Sequence, residues 1–256
     1  MIVTAKTIHK LIEDRDFRYG NSCFWVDGVN FVHQAIQNNF EIIKLIYVDE
    51  KIDTDFKKEV IKNVHRSLHH RMDLPEYATI SNRKDIQGVG AVIKMKHQKN
   101  VVLPGPGVVL EHPSIPGNIG TIMRTCSAFG IKNLYLITPS GDPYSFESVR
   151  ASMGSIFHIN LILMDSHLNF DTSHIHIGTS LHPSATLLTE YRILSNDNQV
   201  LIWFGTESRG LTPQSQQKCQ VQLKIPITSQ VDSLNLSEAV GIVLYELIAR
   251  HQLALG

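Results

Sequence analysis

LIWFGTESRGL (201–211) decides the reading of the fold. With Val200, its first four residues make an apolar run that stops at Gly205, the pattern of a short strand buried on both faces of a parallel sheet. Beyond Gly205 the chain turns at once, and Glu207 sits in that turn with no local need for a carboxylate. Two other stretches share the design, HPSIPGNIGTIMRTCSAFG (112–130) and IPITSQVDSLNLSEAVGIVLYEL (225–247). Each is a strand end or loop that leads toward a helix. Between them they set Asn118, Arg124, Glu207, Ser233 and Asn235 among glycines and small residues rather than inside a core. Outward-turned backbone with a few polar side chains at helix starts is how a fold cradles a polar ligand.

Read separately, two of these stretches need no function. Asn118 can cap a helix that runs to Phe129 and stops on Gly130, with Ile119, Ile122, Met123, Cys126 and Phe129 as its buried stripe and Arg124 at the stripe's edge. Asn235 and Glu238 have capping-box spacing at the start of a helix whose apolar face includes Ala239, Val240, Val243, Leu244 and Leu247. Either could be only a well-capped helix.

Outward from these stretches, strands and helices alternate. VVL (108–110), LYLIT, INLIL, IHIGT, VLIWFG and QLKIPI are short apolar runs, and the reading from 108 to 256 is one α/β domain. Residues 98–107 lie in a basic stretch that turns rich in Pro and Gly, which predicts a linker. Residues 1–97 form a smaller α/β unit. It has an amphipathic helix over 4–18, a strand at CFWV, a helix from Asn30, a strand at IIKLIYVD, a helix over 54–67, and strands around YATI and VGAVIKM.

Composition narrows the partners. Lys plus Arg and Asp plus Glu are 24 each, so bulk charge selects none, and nucleic acid would have to be held by local patches. Three scattered cysteines argue against a disulfide framework and for a reducing cytoplasm. The first residues lack the apolar core of a signal peptide, and no apolar run approaches membrane-spanning length.

Several familiar motifs fail. The glycines of 205–210 have P-loop spacing, but Leu211-Thr212 stands where Lys-Ser/Thr is required. Gly88-Val-Gly90 lacks the third glycine of a dinucleotide fingerprint, no nucleophile elbow is present, and His65 with His69 lacks a third ligand, so no metal is expected. His174 and His176 read as core residues on a strand.

Together the three stretches resemble the SpoU (TrmH) branch of the SPOUT methyltransferases, which move a methyl group from S-adenosylmethionine to a ribose 2′-hydroxyl of RNA. Asn118-x-Gly120 followed by Arg124-Thr125 is similar to that family's first motif. Gly205-Thr-Glu207-x-x-Gly210 is similar to the second, and Ile225-Pro226 through Ser233-Leu-Asn235-Leu-Ser237 to the third. VRASMGSIFHI (149–159) resembles the connecting region. Thr206 departs from the usual Asn or Ser. The N-terminal unit is more loosely similar to the ribosomal-protein-like substrate-binding domain of many members.

The resemblance implies a parallel sheet whose C-terminal part forms a deep trefoil knot, and a homodimer with each site near the partner subunit. It implies a methyl donor held largely by backbone near Thr179, Gly205, Ile225 and Leu234, with Asn235 beside it. Arg124 then becomes the catalytic arginine, oriented by Asn118 and Glu207, while Ser233 and Asn235 position the ribose or the donor. A guanidinium stays charged across the accessible pH range, so gripping phosphate and steadying the developing alkoxide suit it better than acting as base. For RNA contact the first unit offers Lys6, Lys10, Arg15 and Arg18, then Arg66 and Arg71, which would equally suit a solvated face. Ribosomal RNA of the large subunit is the expected substrate. Transfer RNA, and a non-catalytic RNA-binding protein that keeps the fold, are the alternatives.

Overall fold

A computed structural model describes residues 3–81, 83–170, 173–191, 199–206 and 209–251. The chain forms two compact units. The first comprises the residues up to Lys96 together with Asp142–Phe157.

In the first unit, Thr4 caps α1 (Ala5–Glu13) by accepting from the Thr7 amide. Asp14 ends that helix and caps α2 (Arg15–Asn21), accepting from the Phe17 amide at 3.0 Å, so the single helix expected over 4–18 is two. β1 (Cys23–Asp27), α3 (Val29–Gln37), β2 (Ile42–Tyr47), α4 (Asp55–Lys62), β3 (His69–Arg71), α5 (Leu74–Ile80) and β4 (Val89–Lys94) follow. α4 stops well short of the expected residue 67. The strand expected around YATI is α5 instead, because Asp73 accepts from the Glu76 amide at 2.8 Å and Pro75 suits a first helical turn. The sheet order is β1-β4-β2-β3, antiparallel except between β2 and β3. Trp25, Ile46, Tyr77 and Val92 are at the heart of the core.

Arg18 corrects an expectation. It is only 3% exposed, and its guanidinium is engaged by Asp142 (Nε to Oδ2, 2.8 Å) and by the main-chain carbonyls of Leu11 and Ile12. A buried cation with four of its five N–H donors in use holds α1, α2 and the 142–157 segment together, and it is not presented to an RNA phosphate.

The second unit is His97–Gly141 with His158–Gly256. It contains β5 (Gln98–Lys99), β6 (Gly107–Glu111), α6 (Pro116–Ala128) and β7 (Asn133–Ile137). The next helix, α7 (Phe146–Ala151), belongs to the first unit. The second unit continues with β8 (Asn160–Met164), β9 (Ile175–Thr179), β10 (Thr186–Leu187), β11 (Val200–Phe204), α8 (Pro213–Lys218), β12 (Val221–Lys224) and α9 (Leu236–His251). The sheet order is β10-β12-β9-β11-β6-β7-β8-β5, with every described pairing parallel. Residues 98–99, expected within a linker, pair with β8. β11 is buried along its whole length, and Trp203 packs on Phe170 and donates its indole N–H to His176 Nδ1 at 3.0 Å. His174 and His176 are both buried. No helix among the described residues is long and apolar enough to cross a membrane.

Candidate functional site

In an open parallel sheet the carboxyl ends of the strands leave a crevice for ligands. Here β12, β9 and β11 are neighbours, and their carboxyl ends open into a cavity of about 330 Å³. Thr179 closes β9, Phe204 and Gly205 close β11, and Leu223 with Ile225 comes from the end of β12. Ser233, Leu234, Leu236 and Ala239 add the start of α9. Four of the five residues expected around a donor, Thr179, Gly205, Ile225 and Leu234, therefore line one cavity. Asn235 is not in its wall. Its volume suits a small ligand, and its floor is made of the buried Phe204, Leu211, Leu223 and Leu236.

The described residues of the loop after β11 bond to one another. Thr206 and Gly210 exchange main-chain hydrogen bonds of 3.2 and 2.9 Å, and the Arg209 amide donates to Thr206 Oγ1 at 3.2 Å. A Cβ on Gly205 would stand 1.9 Å from the Gly210 carbonyl carbon and 2.1 Å from the Leu211 nitrogen, so only glycine fits under this return. The following turn is anchored on the buried Glu111 at the end of β6. Its carboxylate accepts from the Thr212 amide and hydroxyl at 2.8 and 2.7 Å and from the Ser215 hydroxyl at 2.6 Å. The same carboxylate adds to burial in pushing the Cys219 thiol up to about 12.

The first and third stretches meet directly. Asn235 Nδ2 donates to Asn118 Oδ1 at 3.1 Å across 117 residues of sequence. Asn235 Oδ1 accepts from the Ser237 amide and hydroxyl, as a residue at a helix start should. Asn118 is not a cap. α6 begins after Ile115 with Pro116 in its first turn, which leaves Asn118 inside the helix and its side chain turned to Asn235. The expected stripe is buried at Ile119, Ile122, Met123 and Cys126 and half-buried at Phe129, and Gly130 takes the left-handed conformation (φ 71°). Arg124 is exposed on α6 and is not in the cavity wall. Glu207 lies outside the described residues.

Of the other expected RNA contacts, Arg15 is exposed and lies 5.4 Å from the centre of the Tyr19 ring. Arg66 and Arg71 are exposed, and Arg71 also meets Tyr47 and Asp49. The sequence reading missed Ser180, His182 and Arg209, which line the cavity. Their signal was position: two follow Thr179, and one shares the turn of Glu207.

Residues 106–245 match the SpoU rRNA Methylase family. The chain belongs to that family. It is 33% identical over 154 residues to an uncharacterized tRNA/rRNA methyltransferase of Synechocystis, covering 57% of this chain and only about half, 53%, of that relative. A 23S rRNA (uridine(2479)-2'-O)-methyltransferase of Streptomyces viridochromogenes is 24% identical over 93% of this chain and 86% of its own. The AdoMet-bound rRNA methyltransferase of Sinorhizobium meliloti superposes with a TM-score of 0.84 at 25% identity, covering 96% of this chain and 94% of that one. The SpoU family and the parallel α/β sheet thus agree.

Proposed function

We propose that the protein transfers a methyl group from S-adenosylmethionine to a ribose 2′-hydroxyl of RNA, with large-subunit ribosomal RNA as substrate. The observation that carries this reading is the cavity into which Thr179, Gly205, Ile225 and Leu234 converge from three remote stretches. Its apolar floor and polar rim fit a nucleoside with a short charged tail. The 2′-O assignment is supported by the Streptomyces relative, whose name specifies a uridine 2′-oxygen of 23S rRNA. Transfer RNA remains the second substrate, since the Synechocystis relative is named for both.

When bound, S-adenosylmethionine supplies an electrophilic methyl group. The chain has to align a ribose oxygen with it, and good alignment can be worth ~7–11 kcal/mol. Ser233 at the cavity wall and Asn235, tied to Asn118, are suited to hold the ribose. Arg124, exposed and without a hydrogen bond or ion pair among the described residues, is free to grip the target phosphate and steady the oxygen as it loses its proton. Glu207 would orient it. Basic residues of the first unit that remain exposed, Arg15, Arg66 and Arg71, are suited to RNA phosphates.

The same reading includes the family's trefoil knot in the second unit, a ribosomal-protein-like role for the first, and a cytoplasmic homodimer. The dimer is supported by the exposed apolar Ile242 and Tyr245 on α9, which packs against the Arg124 helix α6.

The test is transfer of labelled methyl from S-adenosylmethionine to ribosomal RNA and to transfer RNA, with digestion to nucleosides. A 2′-O-methyl nucleoside is expected, and a base-methylated product or none sinks the reading. Arg124→Ala should abolish transfer while titration still detects donor binding. Loss of both would show that Arg124 has another role.

A further inference from the structure

The described walls of the cavity carry two side chains able to bear positive charge, Arg209 and His182, and no carboxylate. The two come from different loops, one after β11 and one after β9, and both are exposed, whereas the apolar residues of the floor are buried. The cavity therefore has a direction, from an apolar floor to a rim of hydrogen-bond donors.

The rim is built. His182 Nδ1 accepts from the Ser184 amide at 3.3 Å and lies 2.7 Å from the Ser184 hydroxyl, and the His182 amide donates to Ser180 Oγ at 3.1 Å. An imidazole whose Nδ1 accepts from a main-chain N–H keeps its proton on Nε2 even when neutral. His182 thus offers a donor and not a base. Arg209 is placed by its amide on Thr206 Oγ1, and its guanidinium has no acceptor among the described residues. Two donors with no acceptor among the described residues, one of them always charged, favour an anionic group with oxygens in a plane.

We infer that Arg209 and His182 form the seat for the carboxylate at the amino-acid end of the methyl donor, with the adenine lodged on the apolar floor. This rests on the proposed reading of the cavity as the donor site. The donor's other charged groups, the sulfonium and the ammonium, are cations that a guanidinium would repel, so the carboxylate is its one complementary feature. A seat at the rim also leaves the reacting methyl between floor and mouth, where RNA can reach it.

The experiment is calorimetric titration of the full chain and of Arg209→Gln and His182→Ala with S-adenosylmethionine and with decarboxylated S-adenosylmethionine, which keeps both cations. Any loss of folded protein in a variant scales both apparent dissociation constants by the same factor, so the two ligands control for each other within one variant. Partly exposed charge-assisted pairs predict that each substitution weakens S-adenosylmethionine by roughly five- to tenfold. Binding of the decarboxylated ligand should change by less than about twofold. Equal losses for both ligands, or no loss for either, overturn the assignment while leaving the donor site intact. If the unaltered protein binds neither ligand, the donor site itself is wrong and the seat falls with it.

Discussion

Arg18 illustrates how one side chain can change its meaning between sequence and structure. In the sequence it is one of a run of basic residues, and in the fold it is a buried cation shared by a carboxylate and two carbonyls. Removing it would leave Asp142 buried at 6% exposure with its principal cation gone. Breaking such a pair from one side typically costs about 3–5 kcal/mol. Arg18→Ala is therefore expected to lower unfolding free energy by that amount in a urea titration, and a loss under about 1 kcal/mol would mean the pair is unimportant. The partner stands 124 residues away, a distance over which spacing and periodicity carry no information. The same holds for Asn118. Its place near a helix start was legible, but its engagement by Asn235 depends on two helices meeting, and Pro116 had already taken the opening turn.

At the scale of elements the sequence was most legible where burial is continuous. The runs at 134–138 and 200–204 became β7 and β11 because a nearly uninterrupted apolar segment of that length fits a sheet covered on both faces. YATI misled because its aromatic and β-branched residues favour strands, while the cap at Asp73 and Pro75 favoured a helix and prevailed. The break at Asp14 was missed for a related reason: the amphipathic pattern continues across it, and only the capping bond to Phe17 marks it. The loop after β11 was legible as a site but not as a shape, since the Thr206–Gly210 return is set by main-chain bonds. It yields a sharp prediction. Gly205→Ala forces the loop backbone away from β11, because the new Cβ meets main-chain atoms that cannot rotate aside. Displacement of the cavity wall by about 1 Å should cost on the order of 10²-fold in transfer. A Gly205→Ala protein with unaltered transfer would show that the loop does not shape the site.

For the whole molecule, the proposed dimer leads to a solution measurement. Ile242 and Tyr245, 42% and 61% exposed, are large apolar side chains on one helix, and covering what remains exposed is worth about half of the roughly 1.5–3 kcal/mol that complete burial of such a side chain brings. Replacing both by Asp should convert the dimer to monomer in light scattering at micromolar concentration while leaving donor binding in place. An unchanged mass would move the interface elsewhere. The division of the chain was only partly legible. A change of pattern near residue 100 lies close to the boundary after Lys96, but the return of 142–157 to the first unit leaves no compositional trace.

That return constrains how the protein is made. Synthesis runs from the N-terminus, and the first unit lacks part of its own core until Phe157 has emerged. By then β6, α6 and β7 have already left the ribosome. The amino-terminal unit therefore cannot complete its core before the opening strands and helix of its successor have emerged, although its own last residue still precedes that unit's remaining strands and final helix.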